Sequence, residues 1–391
     1  MPASSPSALD PRDLAALKEW RRHLHTMPDV SGEEVATAAE VVRFMADTRP
    51  DGIFTGLGGT GVAMVYDGGS PGPTVMFRAE LDALPIAERG EPPHRSRIHG
   101  KGHMCGHDGH MAILAALGRT FGRNRPANGR AILLFQPAEE TGAGAAAVLA
   151  DPDFAPLTPD YSLSLHNMPG LPINHVWLKD GPANCASRGM KISLAGRTAH
   201  AASPETGLSP VNAVAALLSD LTALCSGTLE TETLRRVTIT HATIGEPAFG
   251  IAPGDAEIWA TLRTSTDAAM AALVESAEAL AQDAADADGL AVSIAYSDVF
   301  GHCVNHPDAV AILRQAMEVE GITHEPGQPF RASEDFGRFA TVSKSAMLFL
   351  GAGEAHAALH DPDYDFPDAL IETGARIFLA AAAELMGDRL R

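Results

Sequence analysis

The stretch His103-Met104-Cys105-Gly106-His107-Asp108-Gly109-His110 gathers three histidines, a cysteine and an aspartate at the mouth of an apolar, Ala-rich segment, Met111 to Leu117. That segment is predicted helical, with Asp108 as its N-cap. Cys105 and His107 stand at i and i+2 just ahead of it, and such donors suit a transition metal. The helix dipole also favours a thiolate there, able to ligate a metal or attack a carbonyl. Alone, a Cys-x-His pair arises readily by chance, and His103 and His110 read as packing or supporting residues. The stretch is half of a candidate metal site.

Working outward, Asp13 to Leu24 and Glu33 to Met45 are predicted helices, with Ser31 and Glu34 in capping-box spacing. Short apolar runs flanked by glycine and proline, Gly61 to Tyr66, Thr74 to Arg78, Ala131 to Phe135 and Tyr161 to Leu165, read as strands. Glu80 and Asp82 follow the second of these, Glu139 and Glu140 the third, and His166 the last. Ligand sites of open α/β sheets form at that edge, so the alternation predicts an α/β fold with a site there.

After about Ala186 the pattern changes to strand–helix–strand–strand–helix–strand: Met190 to Leu194, Pro210 to Leu224, Val237 to Ile244, Ala256 to Thr264, Ala268 to Ala287 and Ala291 to Tyr296. That is the order of a ferredoxin-like insert. From about Asp298 the chain reads as α/β again, with helices over Ala309 to Glu320 and Asp368 to Leu385 and a strand at Met347 to Leu350. The expected division is 1–186 and 298–391 as one catalytic domain, and 187–297 as the insert.

The 391 residues, 45% hydrophobic and 20% charged, are those of a globular protein of two domains. A formal charge of −20 repels phosphate backbones and anionic lipid, so neither nucleic acid nor membrane is an expected partner. The four cysteines are too few and too scattered for a disulfide framework. Met1 to Pro11 is polar, without the apolar core of a secretory signal, and the expected location is cytoplasmic.

Paired carboxylates such as Glu139 and Glu140 can divide labour, one ligating metal and one acting as general base, though a lone acidic pair is usually an exposed turn. His166 ends its strand, and His360 sits in Leu359-His360-Asp361-Pro362-Asp363-Tyr364-Asp365-Phe366. Together Cys105, His107, Glu140, His166 and His360 are enough donors for two divalent ions.

These residues carry a resemblance that runs nearly end to end. It covers Arg22-His23-Leu24-His25 with Pro28 and Glu33-Glu34, Arg78 to Pro85, Cys105 to His110, Phe135 to Glu140, and His166-Asn167-Met168-Pro169-Gly170. It continues through Gly196 to His200 with Pro204, Ser333-Glu334-Asp335-Phe336, and Leu359-His360 with Tyr364-Asp365-Phe366. The chain resembles the M20 zinc-peptidase and aminoacylase family, in its amidohydrolase branch of hippurate hydrolases, N-acyl-amino-acid aminoacylases and auxin-conjugate hydrolases.

The resemblance implies a di-metal catalytic domain interrupted by a lid that often also dimerises, hence a homodimer or homotetramer. It assigns Cys105, His107, Glu140, His166 and His360 to two divalent ions (Zn, Mn, Co or Ni), and Glu139 to the general base. His200 would steady the oxyanion from the lid. Arg263 would meet a substrate carboxylate with its guanidinium fork. The implied reaction is hydrolysis of a small N-acyl amino acid by metal-activated water. The alternatives are another amide or dipeptide on the same fold, whether carboxypeptidase-like or an N-acetyl-diamino acid deacetylase, and an amidase using Cys105 as nucleophile.

Two positions depart from the family pattern. Glu80 stands where an Asp is usual, one methylene longer, and that reach bears on the hydrogen bonds behind the metals. Gly250, in Gly250-Ile251-Ala252-Pro253-Gly254, stands where an Asn is usual, which predicts a different acyl or amino-acid preference.

Overall fold

The computed structural model describes residues 9–387, so most of the polar Met1 to Pro11 segment lies outside the described residues. The chain divides into two compact units. One comprises the chain up to Ala183 with Val304–Gln328 and the segment from Asp335 onward; the other comprises Asn184–Cys303 with Pro329–Glu334. The insert expected at 187–297 is thus slightly longer and recruits one further short segment.

In the first unit an eight-stranded sheet runs in the order Gly52–Leu57, Gly61–Asp67, Arg130–Gln136, Thr74–Glu80, Tyr161–Pro169, Lys344–Gly353, Val176–Trp177, His324–Glu325. The middle four strands are mutually parallel. They read as near-continuous apolar runs because helices and turns cover both faces. The chain leaves Thr74–Glu80 for a neighbour on one side and returns to Tyr161–Pro169 on the other. Such a reversal of strand order opens a crevice at the carboxyl ends.

The helix His107–Arg123 is buried on nearly every side, packed among Pro11–His25, Leu370–Met386 and the sheet. Small residues permit this. A Cβ on Gly109 would stand 2.3 Å from the Phe366 ring, so Gly109→Ala would push the helix off its seat. Each buried Leu or Ile it contributes stabilises by about 1.5–3 kcal/mol.

Two local expectations are corrected. Gly106, not Asp108, is the N-cap, with φ +86° in the left-handed region that glycine alone adopts freely. Asp108 turns inward instead, taking His25 Nδ1 at 2.8 Å and Arg21 at 3.3 Å, because two buried cations outbid a backbone cap. Nor do Ser31 and Glu34 form a capping box; the helix begins at Val35 with no side-chain cap. Ser31 Oγ donates to Asp82 at 2.7 Å, while Glu34 accepts from Gly32 and Ala138 backbone N–H groups and Thr60 Oγ1.

The second unit is an antiparallel sheet ordered Arg235–Ile244, Asp255–Thr264, Ala186–Ala195, Ala291–Phe300. Numbered along the chain that order is 2-3-1-4, the ferredoxin-like arrangement expected from the sequence. Val211–Ala223 and Asp267–Asp288 pack against it through alternate strand residues such as Met190, Ile192, Ile258 and Leu262.

Candidate active site

The carboxyl ends of the parallel strands bring six of the expected residues together. Cys105 and His107 flank Gly106 at the helix start, and Glu139 and Glu140 follow the Arg130–Gln136 strand. His166 lies within the end of Tyr161–Pro169, and His360 stands in the loop after Lys344–Gly353. The donor atoms of Cys105, His107 and His166 lie within 4.8 Å of one another, as do those of Cys105, Glu140 and His360, and of His107, Glu139 and Glu140.

Cys105 Sγ is 3.4 Å from His166 Nε2, and His360 Nε2 is 3.4 Å from Glu140 Oε2. His107 Nε2 lies 3.8 Å from Glu140 Oε1 and 3.9 Å from Glu139 Oε2, beyond hydrogen-bond reach.

The imidazoles are held for one purpose. His107 Nδ1 donates to the carbonyl of Asp82 at 2.8 Å, and His166 Nδ1 to the carbonyl of Asn167 at 2.7 Å. With Nδ1 protonated, each Nε2 presents its lone pair to the site. His107 Nε2 and Glu140 Oε1 are buried without a hydrogen-bond partner. Leaving such atoms unsatisfied is costly, and a divalent cation would satisfy them together. The donor set of thiolate, imidazole and carboxylate therefore fits a transition metal.

Charge points the same way. Burial alone would pull His107 down, but its hydrogen bond to Asp82 and the carboxylates of Glu80, Glu140 and Asp82 push its pKa to about 10. Burial first, then the neighbouring rings of His110 and His107, pull the His166 pKa to about 3. Burial and then Glu140 and Glu139 push the Cys105 thiol well above its usual range, so a thiolate there needs an added positive charge. The carboxylates of Glu80, Asp82, Glu139 and Glu140 make the pocket an anionic cage.

Not every histidine in the opening stretch belongs to this cage. Glu80, His107 and His110 also lie close enough for one ion. Both His110 nitrogens are committed, however: Nδ1 to Glu80 at 2.6 Å, and Nε2 to the Asn167 backbone N–H at 3.1 Å. His110 is thus a support rather than a ligand. Glu80 spans His110 and the buried Arg78, whose guanidinium also bonds Gln136 and Asp335. His103 is buried, and its pKa is drawn down to about 4 chiefly by burial.

Backbone strain marks the site as well. Ala138, just before the paired glutamates, has φ +50°, and His360 has φ +67°. Non-glycine residues hold such angles only where surroundings over-determine them. The Ala138 N–H is tied to Glu34 and the His360 N–H to the carbonyl of Met104 at 2.7 Å.

Sequence reasoning placed Asp82 beyond a strand end but gave it no role, and it organises the cage. It takes Ser31 Oγ and the Glu140 backbone N–H on Oδ2, and its carbonyl orients His107. Its place two residues beyond Glu80, past a strand's carboxyl end, was the available signal. Asn167 and Tyr364 stood in the motifs read from the sequence, likewise without a role.

The two remaining expected residues belong to the second unit. His200 lies in the short pair Ala199–His200 with Ile251–Ala252, and it is exposed. Its Nδ1 accepts the Ala202 N–H at 3.0 Å, which leaves the ring proton on Nε2. Gly250 adjoins it, its carbonyl taking the Ala201 N–H at 3.0 Å. Arg263 Nη1 donates to the carbonyl of Arg331 at 2.8 Å and to Ser333 Oγ at 2.9 Å.

Comparison with known proteins adds to this geometry. Residues 76–384 match the model of peptidase family M20/M25/M40. A hippurate hydrolase of Campylobacter jejuni is 30% identical over 381 residues, covering 96% of this chain and 98% of that protein. An N-acetyl-L-cysteine deacetylase of Bacillus subtilis is 28% identical, covering 96% and 91%. Among solved structures, the Bacillus subtilis YXEP protein, described as a dinuclear metal-binding peptidase, superposes with a TM-score of 0.81 at 24% identity, covering 96% of this chain and 99% of that one.

Proposed function

The chain belongs to peptidase family M20/M25/M40 and is an amidohydrolase; on that premise we propose that it cleaves the amide of an N-acyl amino acid, using two divalent ions. Cys105, His107, Glu140, His166 and His360 would hold the ions, which are Zn, Mn, Co or Ni. The observation that carries this reading is the pair of imidazoles with Nδ1 spent on carbonyls, each presenting Nε2 beside Cys105 or Glu140.

When bound, such ions supply Lewis acidity toward the amide carbonyl and acidify water at neutral pH. Glu139, buried yet beside His107, takes a proton from the attacking water and returns it to the leaving nitrogen. His200 donates its Nε2 proton to the developing oxyanion. Arg263 is the partner for the substrate carboxylate. The substrate is a free small molecule and the working state a homodimer or homotetramer in the cytoplasm. Among the described residues no helix is long and apolar enough to cross a membrane.

One observation favours a second reading: the 3.4 Å approach of Cys105 Sγ to His166 Nε2 is that of a thiol and its base. The low pKa of His166 and the high one of Cys105 make that pair a poor nucleophile.

The test is a panel of N-acetyl, N-benzoyl and N-indoleacetyl amino acids, with dipeptides beside them, given to chelated enzyme and to enzyme reloaded with each ion. Hydrolysis that returns only with metal supports the proposal. Full turnover after chelation, abolished by a thiol alkylator, would replace it with the cysteine mechanism. Turnover of dipeptides alone would move the substrate class.

A further inference from the structure

We propose that Tyr364 and Asn167 form a positioning clamp for the metal donors, locking together the three chain segments that carry Cys105, His166 and His360. The proposal rests on the metal reading of the site.

Asn167 follows His166 in the strand and is fully buried. Its Nδ2 donates to the carbonyl of Cys105 at 2.7 Å, and its Oδ1 accepts the Tyr364 hydroxyl at 2.5 Å. Both ends of the amide are thus spent on segments distant in sequence, 62 and 197 residues away. Tyr364, also fully buried, closes the loop that begins at His360, and the His360 N–H is tied to the carbonyl of Met104.

The fit between these parts is close. A Cβ on Gly106 would lie 2.6 Å from Asn167 Nδ2 and 2.7 Å from the Tyr364 hydroxyl, so the Cys105–His107 turn rests directly on the clamp. The ring of His356 stacks on that of Tyr364 at 5.2 Å and 15°, fixing the phenol's plane. Neither Asn167 nor Tyr364 offers its side chain to the cage. They act through the main chain of Cys105 and through the neighbour of His166.

A buried Tyr–Asn pair could instead be a satisfied piece of core, and Tyr66 provides the control. Its hydroxyl is equally buried and lies 2.6 Å from Thr48 Oγ1, and Tyr66 meets the helix His107–Arg123 only toward its far end, at Gly118 and Phe121. Chelated full-length protein is titrated with Co²⁺, reading the thiolate-to-cobalt charge-transfer absorption of Cys105 and the affinity against a competing chelator.

Tyr364→Phe is expected to bind cobalt at least about tenfold more weakly, with a shifted charge-transfer band, as loss of an outer hydrogen bond does at metal sites. Tyr66→Phe is expected to lose thermal stability and keep the wild-type affinity and band. Unchanged affinity and band in Tyr364→Phe overturn the proposal, as do equal losses in both variants. Should Tyr364→Phe not accumulate, Asn167→Ala is read in the same way. If neither folds while Tyr66→Phe does, the pair is a folding element and the proposal fails. No cobalt uptake by the wild type would instead remove the metal reading itself.

Discussion

The carbonyl of Asp82 accepts the Nδ1 proton of His107 at 2.8 Å, while the Asp82 carboxylate holds the Glu140 backbone N–H at 2.9 Å. One residue thereby fixes the tautomer of one donor and the position of another. Asp82→Asn keeps the shape but removes the charge that attracts both cation and His107. Metal affinity is expected to fall about 10–100-fold. A chelator competition titration reads this; wild-type affinity would show that the carbonyl alone suffices.

Glu139→Gln separates proton transfer from metal holding. The amide is isosteric but cannot accept a proton from water. Turnover is expected to drop about 10²–10⁴-fold, with metal content by elemental analysis and melting temperature unchanged. Retained turnover excludes Glu139 as the base.

Glu80→Asp restores the carboxylate usual in the family at a position built here for the longer side chain. Glu80 bridges Arg78 and His110, so the shorter group loses one partner. A hydrogen bond to a charged group contributes about 1.5–3 kcal/mol, and urea unfolding should register a loss of that order. A neutral or stabilising change would mean the surrounding strands close the gap.

Stability should fall as the solution turns alkaline, through His25. Burial alone would lower its pKa, but the Asp108 carboxylate and the hydrogen bonds to Asp108 and Glu88 raise it to about 9, against an ordinary 6.5. The folded state therefore holds a proton that the unfolded chain releases near 6.5. The stabilisation is complete below that pH and is lost as pH climbs to about 9. Melting curves between pH 6 and 10 should show a decline that His25→Gln flattens; parallel profiles would assign the decline elsewhere.

Gly250 is free to change. Its φ lies outside the positive region, and a Cβ there would meet nothing within 4 Å. Gly250→Asn should fold with wild-type stability and shift kcat/KM between N-acetyl and N-benzoyl substrates, since the new amide would stand beside His200. An unaltered preference ratio would show that this position does not touch substrate.

Much of the fold was legible because its signals are local. Apolar runs of strand length broken by Gly-Pro turns marked Thr74–Glu80 and Tyr161–Pro169, and the switch to alternating strands after Ala186 marked the insert. The local signals failed where a buried charge competed for a cap. Asp108 carries an N-cap side chain in an N-cap context, but Arg21 and His25 claim it from 87 and 83 residues away.

The sequence by itself named the candidate donors: Cys105, His107, Glu139, Glu140 and His166 stand at the ends of readable elements, and His360 in a polar stretch between two. Only the tertiary structure decided which atoms each candidate leaves open, because tautomer and reach depend on partners remote along the chain. His107 and His110 are three apart on one helix, yet Asp82 leaves Nε2 of the first open while Asn167 occupies Nε2 of the second. Strand order made the difference: the reversal beside Thr74–Glu80 makes Tyr161–Pro169 its parallel neighbour, which brings Asp82 and Asn167 to the same helix end. Spacing along the chain carries no trace of that reversal, since it is fixed by which strands pair.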